Sequence, residues 1–173
     1  MVKLKFFQVQ IPELKIDTKL VATSSESLIG RTSKYPLTDL TRGKNGEIFY
    51  KITKSDGDLV GKVKRMRLFF SYVARFVRRG VTKIDDSFSV NVKNGKMQLK
   101  TIIMTRKKVN GAVTRHLRKE TRSYIAKQLE DLKIEEVFTM ILKNDLQQKL
   151  SQRLKKIYPL AYCEIRDILV KSK

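Results

Sequence analysis

The sequence predicts an α+β fold in which strands come first, helices follow, and one last strand returns to the sheet. Three observations lead there. Asn45-Gly46, Asp56-Gly57, Asn94-Gly95 and Asn110-Gly111 punctuate the first two thirds, and such pairs permit the positive φ that tight reversals require. From 113 to 157 there is no Gly or Pro, and apolar residues recur at helical spacing. After Pro159 the pattern reverts to alternation. The expected layout is one domain over 1–173: strand-rich 1–112, helical 113–157 and a final strand at 160–170. No repeat or low-complexity linker divides it.

Residues 15–23 (KIDTKLVAT) read as a strand. Ile48, Tyr50 and Ile52 alternate with Phe49, Lys51 and Thr53, a second strand. In 60–70, Met66, Leu68 and Phe70 share one face and Arg65 and Arg67 the other, which gives a sheet with a wet, positive side. Tyr72, Val73, Phe76 and Val77 sit at helical spacing, so a short helix is expected over 71–79, stopped by Gly80. The clearest local feature is an antiparallel hairpin at about 87–105. Phe88, Val90 and Val92 lead to Asn94-Gly95, and Met97, Leu99, Thr101 and Ile103 lead away.

The helical third carries one stripe at Leu117, Tyr124, Ile125, Leu129 and Leu132, and a second at Ile134, Val137, Phe138, Ile141 and Leu142. Asn144 with Gln147 resembles a capping box ahead of Leu146, Leu150, Leu154 and Ile157. Breaks are expected near 132 and 143, and Pro159 ends the last helix. In the returning strand Cys163 and Ile165 alternate with Glu164 and Arg166.

The chain has 173 residues, enough for a real core, and 41% of them are hydrophobic. Lys and Arg number 38 and Asp and Glu 17, a formal charge of +21. A compact body so charged repels itself and favours a polyanion. Nucleic acid is the first candidate, because each phosphate neutralised releases condensed counterions; an anionic membrane surface is the second. Cys163 is the single cysteine, which excludes an internal disulfide and a multi-cysteine zinc site and leaves a small buried hydrophobe as the plain reading. No apolar run approaches the ~20 residues of a membrane span, and the basic–apolar start at Met1 does not read as a signal peptide. The expected compartment is the cytoplasm.

The positive charge is grouped. Lys62, Lys64, Arg65 and Arg67 share a strand. Arg75, Arg78, Arg79 and Lys83 lie on the short helix and just after it. Arg106, Lys107 and Lys108 precede Arg115, Arg118, Lys119 and Arg122, which fall at i, i+3, i+4 and i+7 and form one stripe opposite the apolar one. Like charges at that spacing cost helix stability, so a polyanion is the physical reason to tolerate them. His116 is expected to add a polar contact. These sixteen residues are the candidate RNA contacts. Aromatic residues are sparse, and only Phe49 and Phe69 fall on polar faces. Phosphate and shape contacts are therefore expected rather than a base-stacking platform. The basic helix would also fit DNA.

Nothing forms a catalytic set. His116 is the only histidine, and no phosphate-cradling loop, nucleophile elbow or zinc-protease motif is present. Asp85-Asp86 and Glu135-Glu136 are adjacent pairs, whose side chains diverge on a strand or helix, so neither makes an acid–base pair. No metal site, cofactor or small-molecule substrate is expected.

Several segments together resemble a known family. FFQVQIPEL, from Phe6 to Leu14, is similar to an aromatic-x-x-V-x-x-P opening. GRTSKYPLTDL, from Gly30 to Leu40, is similar to a GR-x-x-E-x-x-L-x-D-L element. The Asn94-Gly95 hairpin ends in Thr105, Arg106, Lys107 and Lys108. LRKE, from Leu117 to Glu120, resembles an IRKKM helix, and Ile157, Tyr158, Pro159 and Leu160 match an IYPL signature followed by Ile165 and Arg166. In order and spacing these resemble the small-subunit ribosomal protein family eS1, also called S3Ae, of archaea and eukaryotes, from about Phe6 to Val170. The resemblance is to a short archaeal member: a basic N-terminal extension and a longer C-terminal tail have no counterpart here.

The resemblance implies an antiparallel, β-barrel-like sheet with helices. It also implies a structural constituent of the small ribosomal subunit, on the platform near the messenger exit. The implied partners are small-subunit rRNA, neighbouring platform proteins and messenger RNA near the exit, with no membrane. From the residues alone, a free RNA- or DNA-binding regulator or RNA chaperone stays open.

Overall fold

The computed structural model describes residues 4–41, 43–55 and 58–171. Its eight strands form one sheet: β1 (Lys5–Ile11), β2 (Ile16–Ala22), β3 (Thr32–Pro36), β4 (Gly46–Ser55), β5 (Asp58–Leu68), β6 (Lys83–Val92), β7 (Gly95–Thr105) and β8 (Leu160–Lys171). The helices are α1 (Phe70–Ala74), α2 (Gly111–Leu129), α3 (Ile134–Leu142) and α4 (Asp145–Lys155). The α+β class, the C-terminal bias of the helices and the returning strand are as the sequence predicts.

The strand order is β2-β1-β5-β8-β7-β6, with β4 also on β5 and β3 on β4. β5 branches the sheet because it is 11 residues long. Its start meets β1 in a parallel bridge, Gln10↔Val60, and its end meets β8 from Arg65↔Leu169 to Arg67↔Asp167. β8 thus enters the middle of the sheet and joins its two halves. The remaining ladders are antiparallel, and no ladder among the described residues joins the outermost strands, so the sheet is open.

Two neighbouring cross-strand rows show how alternation becomes a fold. Ile48, Met66, Ile168, Leu99 and Phe88 stand side by side across five strands, and all but the half-buried Phe88 are fully buried. One residue along, Glu47, Arg67, Asp167, Lys100 and Ser87 form the next row on the opposite face. The wet, positive side expected from Arg65 and Arg67 is this second row, corrected in two respects: Glu47 and Asp167 share it with the cations, and Asp167 is buried.

Several local expectations are corrected. The helix expected over 71–79 is only Phe70–Ala74. Phe76 and Val77 donate to Val73 and Ala74, a three-residue spacing that tightens and ends the turn, and the Phe76 ring stacks on Tyr162 with centroids 4.0 Å apart. Phe70 does not share the buried face of Met66 and Leu68. The strand stops at Leu68, and Phe70 opens α1 at 71% exposure.

Asn144 stands at the N-cap position of α4, but its side chain does not cap the helix. The residue adopts the left-handed conformation at φ 66, its side chain accepts from the Lys44 ammonium, and Gln147 donates to the Ile141 carbonyl at 3.0 Å. The β6–β7 turn is Lys93-Asn94, one residue earlier than expected, with Val92 opposite Gly95. Asn110 does not turn the chain but caps α2, its side-chain oxygen accepting from Val113 N–H at 3.0 Å. Asp56-Gly57 lies outside the described residues. Gly46 serves close packing rather than a reversal: a Cβ there would stand 2.5 Å from the Arg67 carbonyl oxygen.

Candidate nucleic-acid interface

α2 turns a basic sequence into a basic surface. Leu117, Thr121, Ile125 and Leu129 are buried one turn apart, and α2 packs them over β6. The basic stripe expected opposite this face flanks it instead, since Arg122 reaches the sheet; Arg115, Arg118, Lys119 and Arg122 are all exposed, as is His116. Arg115, Arg118, Lys119 and Arg122 line a shallow cleft of about 280 Å³ with no carboxylate in its wall. Arg122 is tied down, since its guanidinium donates two hydrogen bonds to Asp86 on β6 and lies 5.9 Å from the Phe88 ring centre. The hydrogen bonds from Arg122 hold the Asp86 carboxyl below the usual carboxylate range, against burial, which pushes it up.

Arg106, Lys107 and Lys108 are exposed on the link between β7 and α2. Their backbone is anchored, with Thr105 Oγ1 donating to the Lys107 carbonyl at 2.6 Å and Arg106 N–H to the Pro159 carbonyl at 3.1 Å. Arg75, Arg78 and Arg79 are exposed just past α1, Arg75 lying 4.7 Å from the Tyr72 ring centre. Lys83 opens β6 with its ammonium 3.6 Å from Asp85.

The β5 group is divided. Lys62, Lys64 and Arg67 are exposed, and a register shift between Phe49 and Tyr50 leaves Lys64 without a partner on β4. Arg65 is half-buried and donates to both Asp167 oxygens at 2.9 and 2.7 Å. Burial would raise the Asp167 carboxyl, but the hydrogen bonds and charges of Arg65 and Lys100 outweigh it and keep the carboxyl low.

Lys100 and Arg166 did not stand out in the sequence, yet they line one small cleft with Arg65 and Arg67. Strand pairing alone brings positions 65–67, 100 and 166 together. The one available signal was the polar parity of Lys100 between Leu99 and Thr101 in the hairpin. Of the two aromatic residues expected on polar faces, Phe49 is covered by Lys34 and Arg65, at 5.3 and 5.9 Å, and Phe69 remains 41% exposed.

The acidic neighbours separate as their adjacency predicts: Asp85 faces Arg166 and Lys83, and Asp86 faces Arg122. Burial pushes the Cys163 thiol up to about 12, which removes it as a nucleophile at neutral pH. Among the described residues no group of three or more His, Cys, Asp or Glu side chains could hold a metal ion, and no helix is long and apolar enough to cross a membrane.

Comparison with known proteins gives a consistent result. The sequence profile of the Ribosomal S3Ae family matches residues 4–173. The chain is 28% identical over 149 residues to small ribosomal subunit protein eS1 of Desulfurococcus amylolyticus, covering 83% of this chain and 70% of that one. It is 23% identical over 176 residues to the protein of the same name from Nanoarchaeum equitans, covering 97% and 89%. The Saccharolobus islandicus protein of that name is 25% identical over 174 residues, covering 96% and 84%. With a family match spanning almost every residue over a fold of this class, the chain belongs to the Ribosomal S3Ae family.

Proposed function

We propose that this chain is a non-catalytic structural constituent of the small ribosomal subunit that holds rRNA against two cationic surfaces. The observation that carries the proposal is the α2 cleft, where Arg115, Arg118 and Lys119 converge beside Arg122, whose charge is already met by Asp86. Three cations without an ion pair among the described residues repel each other unless an anion enters, and arginine suits the two-oxygen geometry of phosphate. The basic link Arg106 to Lys108 extends this surface, and the face bearing Lys62, Lys64, Arg65 and Arg67 supplies the second. Arg75, Arg78, Arg79, Lys83 and His116 complete the contacts assigned to RNA. These are phosphate and shape contacts, which position a protein on RNA without reading its sequence.

The family and its resemblance support a place on the platform near the messenger exit, among neighbouring platform proteins and within reach of messenger RNA, in the cytoplasmic ribosome. The chain acts as one domain, because a single buried cluster draws on residues from β1 to β8. The test is co-sedimentation with small subunits through a high-salt wash, followed by cross-linking of the retained protein. Retention with cross-links from α2 to rRNA is expected. Release of all the protein into the supernatant would reject the assignment.

A further inference from the structure

We propose that the cleft between β5, β7 and β8 binds the phosphate of one unstacked nucleotide whose base lies on Phe70. This deepens the RNA-binding role proposed above and rests on it. The cleft measures about 100 Å³ and is walled by Arg65, Arg67, Lys100 and Arg166 against the single carboxylate Asp167, with Phe70 at its rim. That is room for a few waters at ~30 Å³ each, hence for a phosphate group.

Charge decides what enters. Asp167 is already engaged by Arg65 at 2.7 Å and Lys100 at 3.3 Å, so one negative charge is shared by two cations. Arg67 makes no ion pair or side-chain hydrogen bond among the described residues, although strand register sets it beside Asp167. Arg166 spends one terminal nitrogen on Asp85 at 3.3 Å, but its Nε is buried with no hydrogen-bond partner. A phosphate group in the cleft neutralises the surplus charge that Asp167 alone does not meet.

Phe70 decides what the phosphate belongs to. Phe49, Tyr72, Phe88 and Tyr124 each have a cation over the ring. Over Phe70 no cation or second ring lies among the described residues, and the residue is 71% exposed. An open aromatic ring beside a cationic cleft has the two parts that hold an unpaired nucleotide, stacking for the base and charge for the backbone. A duplex segment satisfies only the second, since its base faces are already stacked.

The probe is a pair of RNA hairpins of equal length, one fully paired and one carrying a single bulged 2-aminopurine. The intact protein is expected to bind the bulged hairpin about tenfold more tightly, within the range of one base–aromatic stacking contact, and to quench the 2-aminopurine. Phe70→Ala should remove both the preference and the quenching while paired-hairpin binding stays unchanged; Phe70→Trp should restore them. Arg67→Gln should lower bulged-hairpin affinity without abolishing the quenching. Equal affinity of the intact protein for the two hairpins overturns the nucleotide site and leaves the broader interface standing. Binding of neither hairpin overturns both. If Phe70→Ala keeps the preference but loses incorporation into small subunits, the ring docks on a protein and the nucleotide site is rejected.

Discussion

Arg122 on α2 and Asp86 on β6 are joined by two parallel hydrogen bonds, Nε to Oδ2 at 2.7 Å and Nη2 to Oδ1 at 2.6 Å. The pair fastens α2 to β6 at one point, beside the packing of Leu117, Thr121, Ile125 and Leu129. Asp86 sits on the face of β6 that α2 covers, while the Arg122 side chain is about half in water. Asp86→Asn should therefore be a modest stability change, lowering Tm by about 2–4 °C for a chain of this size. A thermal melt checks it, and no change in Tm would show that apolar packing alone holds α2.

The same carboxylate gives a pH signature. Asp86 and Asp167 are both held below the usual carboxylate range, Asp86 by hydrogen bonds from Arg122 and Asp167 by Arg65 and Lys100 acting against burial. A carboxyl whose folded pKa is depressed adds stability that is complete above its unfolded value of about 3.9. That stability is lost as pH falls through the folded value. Melts between pH 6 and pH 2.5 should show Tm falling mainly below about pH 4, and Asp86→Asn combined with Asp167→Asn should flatten the fall. An equally steep fall in the double variant would assign acid unfolding to other groups.

Binding should separate from stability at the stripe. Arg122 serves both, so the clean variant reverses Arg115, Arg118 and Lys119 to Glu and leaves Arg122 in place. With about 0.7–0.9 counterions released per phosphate contact, the slope of log K against log salt should flatten by about 2–3 if all three residues touch phosphate. Tm should hold, because three exposed side chains exchange one set of like charges for another while the Arg122–Asp86 pair stays in place. An unchanged slope would mean that these side chains stand in solvent.

Local patterns were legible in the sequence, and long-range pairings were not. Alternation in Phe88, Val90 and Val92 and in Met97, Leu99, Thr101 and Ile103 marked the β6–β7 hairpin, because burial on one face imposes a period of two. The buried face of α2 followed from a period near 3.6. The branch at β5 and the insertion of β8 could not be seen, because they depend on residues about a hundred positions apart choosing each other. Arg65 looked like a free cation for the same reason: its partner Asp167 is distant in the chain. Asn144 looked like a cap because its own segment fits a capping box, and only the fold shows that Lys44 takes its side chain. The α2 stripe was visible because one helix supplies all of it, whereas the Arg67, Lys100 and Arg166 cleft needs three strands.

Gly46 tests how tightly β4 and β5 pack beside that cleft. A methyl group there would stand 2.5 Å from the Arg67 carbonyl oxygen and 3.1 Å from Leu68 Cα. Backbone atoms cannot swing aside as a side-chain tip does, so Gly46→Ala should force the two strands apart at the Gly46↔Leu68 pair. Overpacking of this kind costs about 1–3 kcal/mol, read as a lower urea midpoint at unchanged slope. A midpoint equal to that of the unmodified protein would mean that the pair opens at no cost.

Glu13 provides the opposite sign of pH dependence. Its carboxyl is half-buried and accepts from Val63 N–H at 2.8 Å. Burial is the largest influence and raises its pKa; the Val63 hydrogen bond lowers it, Glu135 raises it and Lys62 lowers it, with a net rise. A carboxyl raised on folding is penalised once it ionises. Stability is whole below the unfolded value of about 4.3 and declines as pH rises toward the folded value. Glu13→Gln keeps an oxygen that can accept from Val63 and removes the buried charge. The variant should melt at or above the temperature of the unmodified protein at pH 7, and the difference should close as pH approaches 4. A variant that is less stable at pH 7 but equal at pH 4 would show that the carboxylate–Val63 hydrogen bond outweighs the cost of burying the charge.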